Sequence, residues 1–423
     1  MAVVATDIHL TIDAVWKMEA AKVIGGLTRI TGDVGLAEDL AQDAFIAALE
    51  QWPESGIPDK PGAWLMATAK HRAIDHFRRN QLLARKHEEV GRELEAREMC
   101  VPDFDASFEN SVSDDVLRLM FISCHPVLST DARLALTLRL VGGLTTDEIA
   151  RAFLASEPAI AQRIVRAKRT LSDAHVPFEL PQRTELTSRL ASVLEVIYLI
   201  FNEGYSATAG DQWIRTDLCD EALRLGRILA GLAPDEGEVH GLVALMEIQA
   251  SRMKARVGPS GEPILLLDQD RSRWDQLLIR RGLAALARAE ELSKARGPYT
   301  VQAAIAACHA RARAPQETDW PRIVSLYDEL LEVSPSPVVQ LNRAVAVAMA
   351  SGPAAGLELI EELGREAALK NYHLLPSVRG DLLTKLGRMA EARAEFERAA
   401  SMTRNARERE LLLSRAAKIE KAN

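Results

Sequence analysis

Apolar residues return every three to four positions along almost the whole of this chain, and that spacing narrows its fold more than any other feature. In "LAEDLAQDAFIAALEQW" (36–52), Leu36, Leu40, Ala44 and Ala47 make one apolar stripe, while Asp39, Gln42, Asp43 and Glu50 lie off it. No two-residue hairpin signal between alternating runs occurs anywhere in the sequence. The expectation is an all-α protein. At 423 residues the chain exceeds one ordinary hydrophobic core and should divide into several domains.

Composition and chain breaks suggest where it divides. The stretch 101–115, "VPDFDASFENSVSDD", holds Asp103, Asp105, Glu109, Asp114 and Asp115 with no basic residue, and reads as a linker. Two prolines in "AHVPFELPQR" (174–183) interrupt helix, as does the Gly-Pro of "KARGPYT" (294–300). The predicted segments are a helical domain over 10–82, an acidic linker over 83–115, a second helical domain over 116–175, a third over 183–296 and helical repeats over 297–420. Within the last, Leu382, Leu386, Gly387, Ala390, Ala392, Phe396 and Ala399 follow the small/large alternation of a helix–turn–helix repeat, with Gly387 closing the turn.

Two stretches near the N-terminus carry recognisable chemistry. In "LTTDEIARAFLASEPAIAQRIVRAKRTL" (144–171), Thr145 and Glu148 have the spacing of a capping box, and Ser156 is placed to cap a second helix with Pro158 in its first turn. That second helix predicts a buried face of Ile160, Ile164, Ala167 and Leu171 and leaves Gln162, Arg163, Arg166 and Arg169 for a partner. A helix of this design suits the major groove, where guanidinium groups meet phosphates and guanine edges. An ordinary solvated helical hairpin explains the stretch equally well.

The other stretch is "PGAWLMATAKHRAIDHFRRN" (61–80). From 60 to 92 there are eight basic residues (Lys60, Lys70, Arg72, Arg78, Arg79, Arg85, Lys86, Arg92) against three acidic ones, inside a chain of net charge -8. Such segregation is the electrostatic footprint of a nucleic-acid face on an acidic protein. Trp64 beside this helix could stack on an unpaired base; the plainer reading is that Trp64 and Leu65 staple the helix into the core.

Taken together, "GLAEDLAQDAFIAALEQW…PGAWLMATAKHRAIDHFRR" and "LSTDARLALTLRLVGGLTTDEIARAFLASEPAIAQRIVRAKRTL" resemble regions 2 and 4 of an extracytoplasmic-function (ECF) RNA polymerase sigma factor. The remainder resembles the C-terminal extension of one sigma subgroup, a helical domain followed by tetratricopeptide-like repeats. The resemblance implies core RNA polymerase and promoter DNA as partners, no cofactor, and docking on the β′ clamp helices and the β flap. It makes Glu38, Asp39, Gln42 and Asp43 the residues that meet the clamp helices. The loop 51–62, with Ser55 and Gly56, corresponds to the segment that captures a flipped base of the −10 element. Trp64, Lys70, His71, Arg72, Asp75, Arg78 and Arg79 correspond to the helix that holds the melting strand. Ala159, Gln162, Arg163, Arg166, Lys168 and Arg169 correspond to the helix that reads the −35 element. Where relatives begin that helix with a Gly-Thr-Val-Lys-Ser-like run, this chain has "EPAIAQR", with Ala161 in place of a common Lys, which implies a weaker phosphate grip. Lys70-His71 stands where Arg-Asn is usual.

Two motifs of the C-terminal half stay outside that resemblance. "FNEGYSAT" (201–208) offers Asn202, Glu203 and Tyr205, but no nearby His or second carboxylate completes an acid–base pair, so a capped turn or domain contact is expected rather than an enzyme site. "LLLDQDRSRWD" (265–275) offers Asp268, Asp270, Arg271 and Arg273, read as buried ion pairs between domains; two acids alone lack the ligands for a metal. Cys100, Cys124, Cys219 and Cys308 are too sparse for a disulfide framework or a zinc site. No basic segment followed by an apolar run opens the chain, and "VLEVIYLIF" is too short for a membrane span, so a cytoplasmic protein without a membrane partner is the expectation. The C-terminal half is expected to act in cis on the sigma domains, or to dock a regulatory protein or peptide on its repeats. The competing reading is a repeat-bearing helix–turn–helix regulator or scaffold that works without polymerase.

Overall fold

Asp33 ends the first helix of the chain and starts the second. Its carboxylate accepts from the backbone N–H groups of Gly35 and Leu36 at 2.7 and 3.0 Å, which separates α1 (Ala2–Thr31) from α2 (Val34–Ser55). Helix α3 (Pro61–Glu88) follows and packs on both. The computed structural model of the protein describes residues 2–88, 112–153 and 155–421; most of the acidic stretch, with Arg92 and Cys100, falls outside them. Trp16, Val23, Ile24 and Leu27 of α1, with Leu40, Ala44 and Trp52 of α2, build a core in which Trp16 stacks on Phe45 at 4.7 Å.

Four shorter helices succeed them: α4 (Val112–Ser123), α5 (Thr130–Leu140), α6 (Thr146–Ala152) and α7 (Glu157–Asp173). The expected capping box forms, with Thr145 Oγ1 accepting from Glu148 N–H at 3.1 Å and Glu148 Oε2 from Thr145 N–H at 2.8 Å. Ile160, Ile164, Ala167 and Leu171 of α7 are all buried, as their spacing predicts. Ser156 does stand at the N-cap of α7, but its hydroxyl makes no capping bond. These helices do not form a separate body. Helix α1 packs along α4, α2 meets α7, and the guanidinium of Arg29 binds the buried Asp115 at 3.1 Å.

The chain divides into two compact units, 1–196 and 197–423, with the boundary inside α8 (Arg183–Tyr205). The second unit continues with β1 (Ala209–Gly210), α9 (Thr216–Leu232), α10 (Gly237–Ala250) and α11 (Gln276–Leu292). Then come α12 (Pro298–Arg311), α13 (Trp320–Val333), α14 (Pro337–Ser351) and α15 (Pro353–Leu363). The unit closes with α16 (Leu374–Lys385), α17 (Met389–Met402), β2 (Arg404–Asn405) and α18 (Ala406–Lys421).

From α12 onward each helix packs against the next around small residues: Ala344 and Ala348, Gly380 against Phe396, Ala392 and Ala399. Gly387 turns α16 into α17 at φ +75°, a conformation that only glycine adopts without strain, as the repeat pattern predicts. Leu386 and Ala390, counted in that pattern, are exposed at the same turn. The all-α expectation holds apart from one detail that no periodicity signals. Strands β1 and β2, two residues each, pair in parallel and clasp the start of the second unit to its end. Buried Asn405 locks the clasp, its side chain donating to the carbonyls of Ala207 and Gln212 at 3.0 and 2.9 Å.

Candidate nucleic-acid interface

Helix α7 presents Ala159, Gln162, Arg166 and Arg169 to solvent, opposite its buried face. Arg163 and Lys168 are half-buried and engaged. Arg163 lies 3.4 Å from Asp131 of α5, and Lys168 pairs with both Glu38 and Asp39 of α2. Arg169 makes an i,i+4 pair with Asp173 at 3.5 Å in which both partners are exposed, so its contribution is small.

The basic helix α3 exposes His71, Asp75, Arg78 and Arg79 on one side, and Arg72 pairs with Asp43 of α2 at 3.3 Å. Ser55 and Gly56 are exposed at the end of α2, next to the start of α3. Trp64 is half-buried with its ring edge-on to buried Trp52, centroids 5.2 Å apart, which is the stapling arrangement. Lys70 is half-buried on the same helix.

Glu38 differs from its neighbours. Asp39 and Asp43 are exposed and Gln42 half-buried, whereas Glu38 is 2 % exposed. Its carboxylate sits between two cations of the second helical group: Arg139 Nε donates at 2.6 Å, and Lys168 Nζ lies against the other oxygen. Gln42 donates to it from one turn away, and Arg139 also donates to the Leu144 carbonyl at 3.1 Å. A carboxylate so far from water requires such partners, since burying an ion without compensation costs several kcal/mol. Arg139 is the residue of this contact most easily missed in the sequence. Its only signal there is a lone cation in the leucine-rich run "LALTLRL".

In the second unit the two unabsorbed motifs converge. Glu203 accepts from Arg215 at 3.0 Å and from the Thr208 hydroxyl at 3.0 Å, which makes "FNEGYSAT" a capped turn. Gly204 lets α8 approach α9 closely: a Cβ there would lie 2.7 Å from Cys219 N and 2.9 Å from Arg215 O. Asn202 is half-buried beside them. The expected ion pairs of "LLLDQDRSRWD" do not form. Asp268 is exposed, and Asp270 accepts from Ser272 N–H and hydroxyl at 2.9 and 2.6 Å, a turn bond within its own segment. Arg273 is exposed, while Arg271 reaches the carbonyls of His309 and Ala312 at the end of α12, at 2.7 and 2.6 Å. A short Asp is captured by the nearest backbone donors, whereas the longer Arg can cap a neighbouring helix.

Tyr205 and Arg271 are linked through residues that neither motif contains. Arg252 Nη2 donates to the Tyr205 hydroxyl at 2.9 Å, and its guanidinium lies 5.8 Å from the Trp274 ring centre. Arg256 stacks on the Tyr205 ring at 3.5 Å. Burial, with Arg252 and Arg271 nearby, pushes the His309 imidazole down to about 4. Burial likewise pushes the Cys124 and Cys219 thiols up, to about 11 and about 12. Among the described residues no helix is long and apolar enough to cross a membrane.

Residues 16–82 match sigma-70 region 2 and residues 118–171 match sigma-70 region 4. Residues 189–290 match a family of unknown function, DUF6596. An uncharacterized protein of Rhizobium meliloti (strain 1021) is 45% identical over 389 residues, 92% of this chain and 90% of that protein. "Probable ECF RNA polymerase sigma factor SigI" of Mycobacterium tuberculosis is 24% identical over 168 residues, 40% of this chain and 57% of its own length. The ECF RNA polymerase sigma factor BldN of Streptomyces coelicolor is 30% identical over 142 residues, 33% of this chain and 51% of its own length. These two sigma factors are thus matched over little more than half of their own length. Regions 2 and 4 in order, the helix–turn–helix of α6 and α7, and the long helical continuation place the chain in the ECF group of the sigma-70 family, with a C-terminal extension.

Proposed function

We propose that the chain is an alternative sigma factor that carries core RNA polymerase to −35 and −10 promoter elements, and that in its free state regions 2 and 4 are closed on each other. Helix α7 would read the −35 element through Gln162, Arg163 and Arg166. Helix α3 would hold the melting −10 strand through Lys70, His71, Arg78 and Arg79, with Ser55 and Gly56 in the base-capturing loop. Asp39, Gln42, Asp43 and Glu38 would meet the β′ clamp helices, and region 4 would meet the β flap.

The observation that carries this reading is the buried position of Glu38 between Arg139 and Lys168. It joins the polymerase-docking helix of region 2 to the recognition helix of region 4, and both must change partners to engage a promoter complex. Binding to polymerase then competes with the intramolecular contact, which is a population shift between closed and open states. The C-terminal half, which carries no carboxylate–histidine set for catalysis in its two motifs, would regulate this equilibrium in cis or dock a partner.

The test is run-off transcription by purified core polymerase on the DNA upstream of the chain's own gene, with the full chain and with a chain ending at residue 196, where the first unit ends. The reading expects a discrete transcript that depends on added protein, in an amount that differs between the two forms. Duplex-DNA binding without core binding or transcript would favour the regulator or scaffold reading instead.

A further inference from the structure

The arginine–aromatic stack of the second unit ends at a cavity that nothing in the sigma reading uses. From Arg271 the stack runs through Trp274, Arg252, Tyr205 and Arg256 to Trp213, with cation-to-ring distances of 4.8, 5.8, 5.9, 3.5 and 5.6 Å in turn. Arg252 and Arg256 are each only 7% exposed. Among the described residues no carboxylate lies within ion-pair distance of Arg252, Arg256 or Arg271, since Glu203 is held by Arg215. Their partners are the Tyr205 hydroxyl and carbonyl, the carbonyls of His309 and Ala312, and the Thr318 hydroxyl. Cation–π contact stabilises such groups but leaves their charge uncancelled. The Nε atoms of Arg252 and Arg271 and the indole N–H groups of Trp213 and Trp274 are buried without a hydrogen-bond partner. Burial and neighbouring Arg252 push the Arg256 guanidinium down from its usual range.

The cavity beside Trp213 has a volume of about 400 Å³. Trp213, Ile214 and Val257 give it an apolar wall, and Lys254 and Arg407 line it as cations with one exposed acid, Asp211. Arg407 also donates through Nη1 to Glu410 at 3.1 Å, which leaves Lys254 as the cation of the lining that makes no ion pair among the described residues. The N-terminus of α9 also opens on it through Ile214 and Thr216, and the N-cap residue Arg215 supplies no side-chain bond to the first-turn N–H groups. The acid in that first turn, Asp217, is exposed. Uncapped N–H groups at a 17-residue helix, the wall cation Lys254 and a buried guanidinium behind Trp213 all raise the potential in one small space.

We propose that this cavity binds a small organic oxyanion, a flat apolar body against Trp213 and Val257 with one carboxylate or phosphate group directed to Lys254, Arg407 and the start of α9. Gln212, also in the lining, is held by Asn405 of the clasp, and Arg407 lies two residues beyond the end of β2. A ligand touching both therefore tightens the β1–β2 clasp, which makes the C-terminal extension a small-molecule receptor. Binding is measured without polymerase, so the proposal stands or falls independently of the sigma reading.

The experiment titrates the full chain by calorimetry with phenyl phosphate, benzoate and neutral benzyl alcohol, and follows thermal unfolding with each. At least one of the two anions should bind and raise the unfolding temperature while benzyl alcohol does not; the tighter anion identifies the acid group. Lys254→Glu alters an exposed residue and should weaken that anion about tenfold or more. Equal effects of all three compounds, or unchanged anion affinity in Lys254→Glu, would overturn the proposal.

Discussion

Arg139 Nε donates to Glu38 Oε1 at 2.6 Å across 101 residues of sequence, and the two side chains are only 17% and 3% exposed. An ion pair this sheltered holds its geometry. Removing one partner leaves a buried charge, which is far costlier than losing a surface pair. Glu38→Ala would place Arg139 and Lys168 side by side without their shared carboxylate. It should lower the stability of the first unit by about 3 kcal/mol in urea denaturation. A loss below roughly 0.5 kcal/mol, as for surface substitutions, would remove the energetic basis of the closed arrangement.

The capping box of α6 is a local device and should behave as one. Thr145→Ala removes the hydroxyl that accepts from Glu148 N–H, and should cost about 1 kcal/mol without changing the helical content seen by circular dichroism. Ser156→Ala at the head of α7, where no side-chain bond forms, should cost much less. Equal losses for the two would mean that the N-cap geometry is misread.

Gly204 tests the packing of the "FNEGYSAT" turn. A Cβ at this position meets the backbone of Arg215 and Cys219, which cannot move aside as a flexible side chain could. Gly204→Ala should destabilise the second unit by about 2–3 kcal/mol, read as a lowered unfolding temperature. A neutral substitution would show that α8 and α9 are not held at this separation.

His309 gives the second unit a defined acid sensitivity. Its folded pKa is lowered to about 4 by burial and by Arg252 and Arg271, against the ordinary imidazole value of 6.5. Between those values the unfolded chain binds a proton that the folded one does not, so stability is complete above about pH 6.5 and falls as pH drops towards 4. The loss should approach about 3 kcal/mol at the acid end. His309→Phe keeps a ring beside Trp320 and should flatten this part of the pH profile. An unchanged slope in the variant would assign the acid sensitivity elsewhere.

How far the fold and site can be read from sequence depends on the range of the interaction. The Thr145–Glu148 box, the Ile160–Leu171 face and the Gly387 turn are set by residues within one or two helical turns, and all three form as their spacing predicts. The Glu38–Arg139 pair is invisible to such reasoning. Asp39, Gln42 and Asp43 share its polar character, and only the approach of a helix from far along the chain makes one of the four residues buried. The same holds for the β1–β2 clasp, where two residues on each side give no alternation to detect. "LLLDQDRSRWD" misleads for a related reason. Its acids suggest pairing with its arginines, whereas local N–H groups capture Asp270 and carbonyls of α12 capture Arg271. Arg252 and Arg256, which join the motifs, lie in neither.

The most direct test of the account is the equilibrium affinity of the full chain for core RNA polymerase, compared between the wild type and Arg139→Ala. Arg139 has no place in the proposed polymerase or DNA contacts, so its removal leaves Glu38 to Lys168 and Gln42 alone and weakens the closed contact without damaging them. The account predicts that the wild type binds core enzyme and that Arg139→Ala binds about tenfold more tightly, because less of the variant is held closed. Failure of both proteins to bind would contradict the sigma-factor reading, and equal affinities would contradict the closed state.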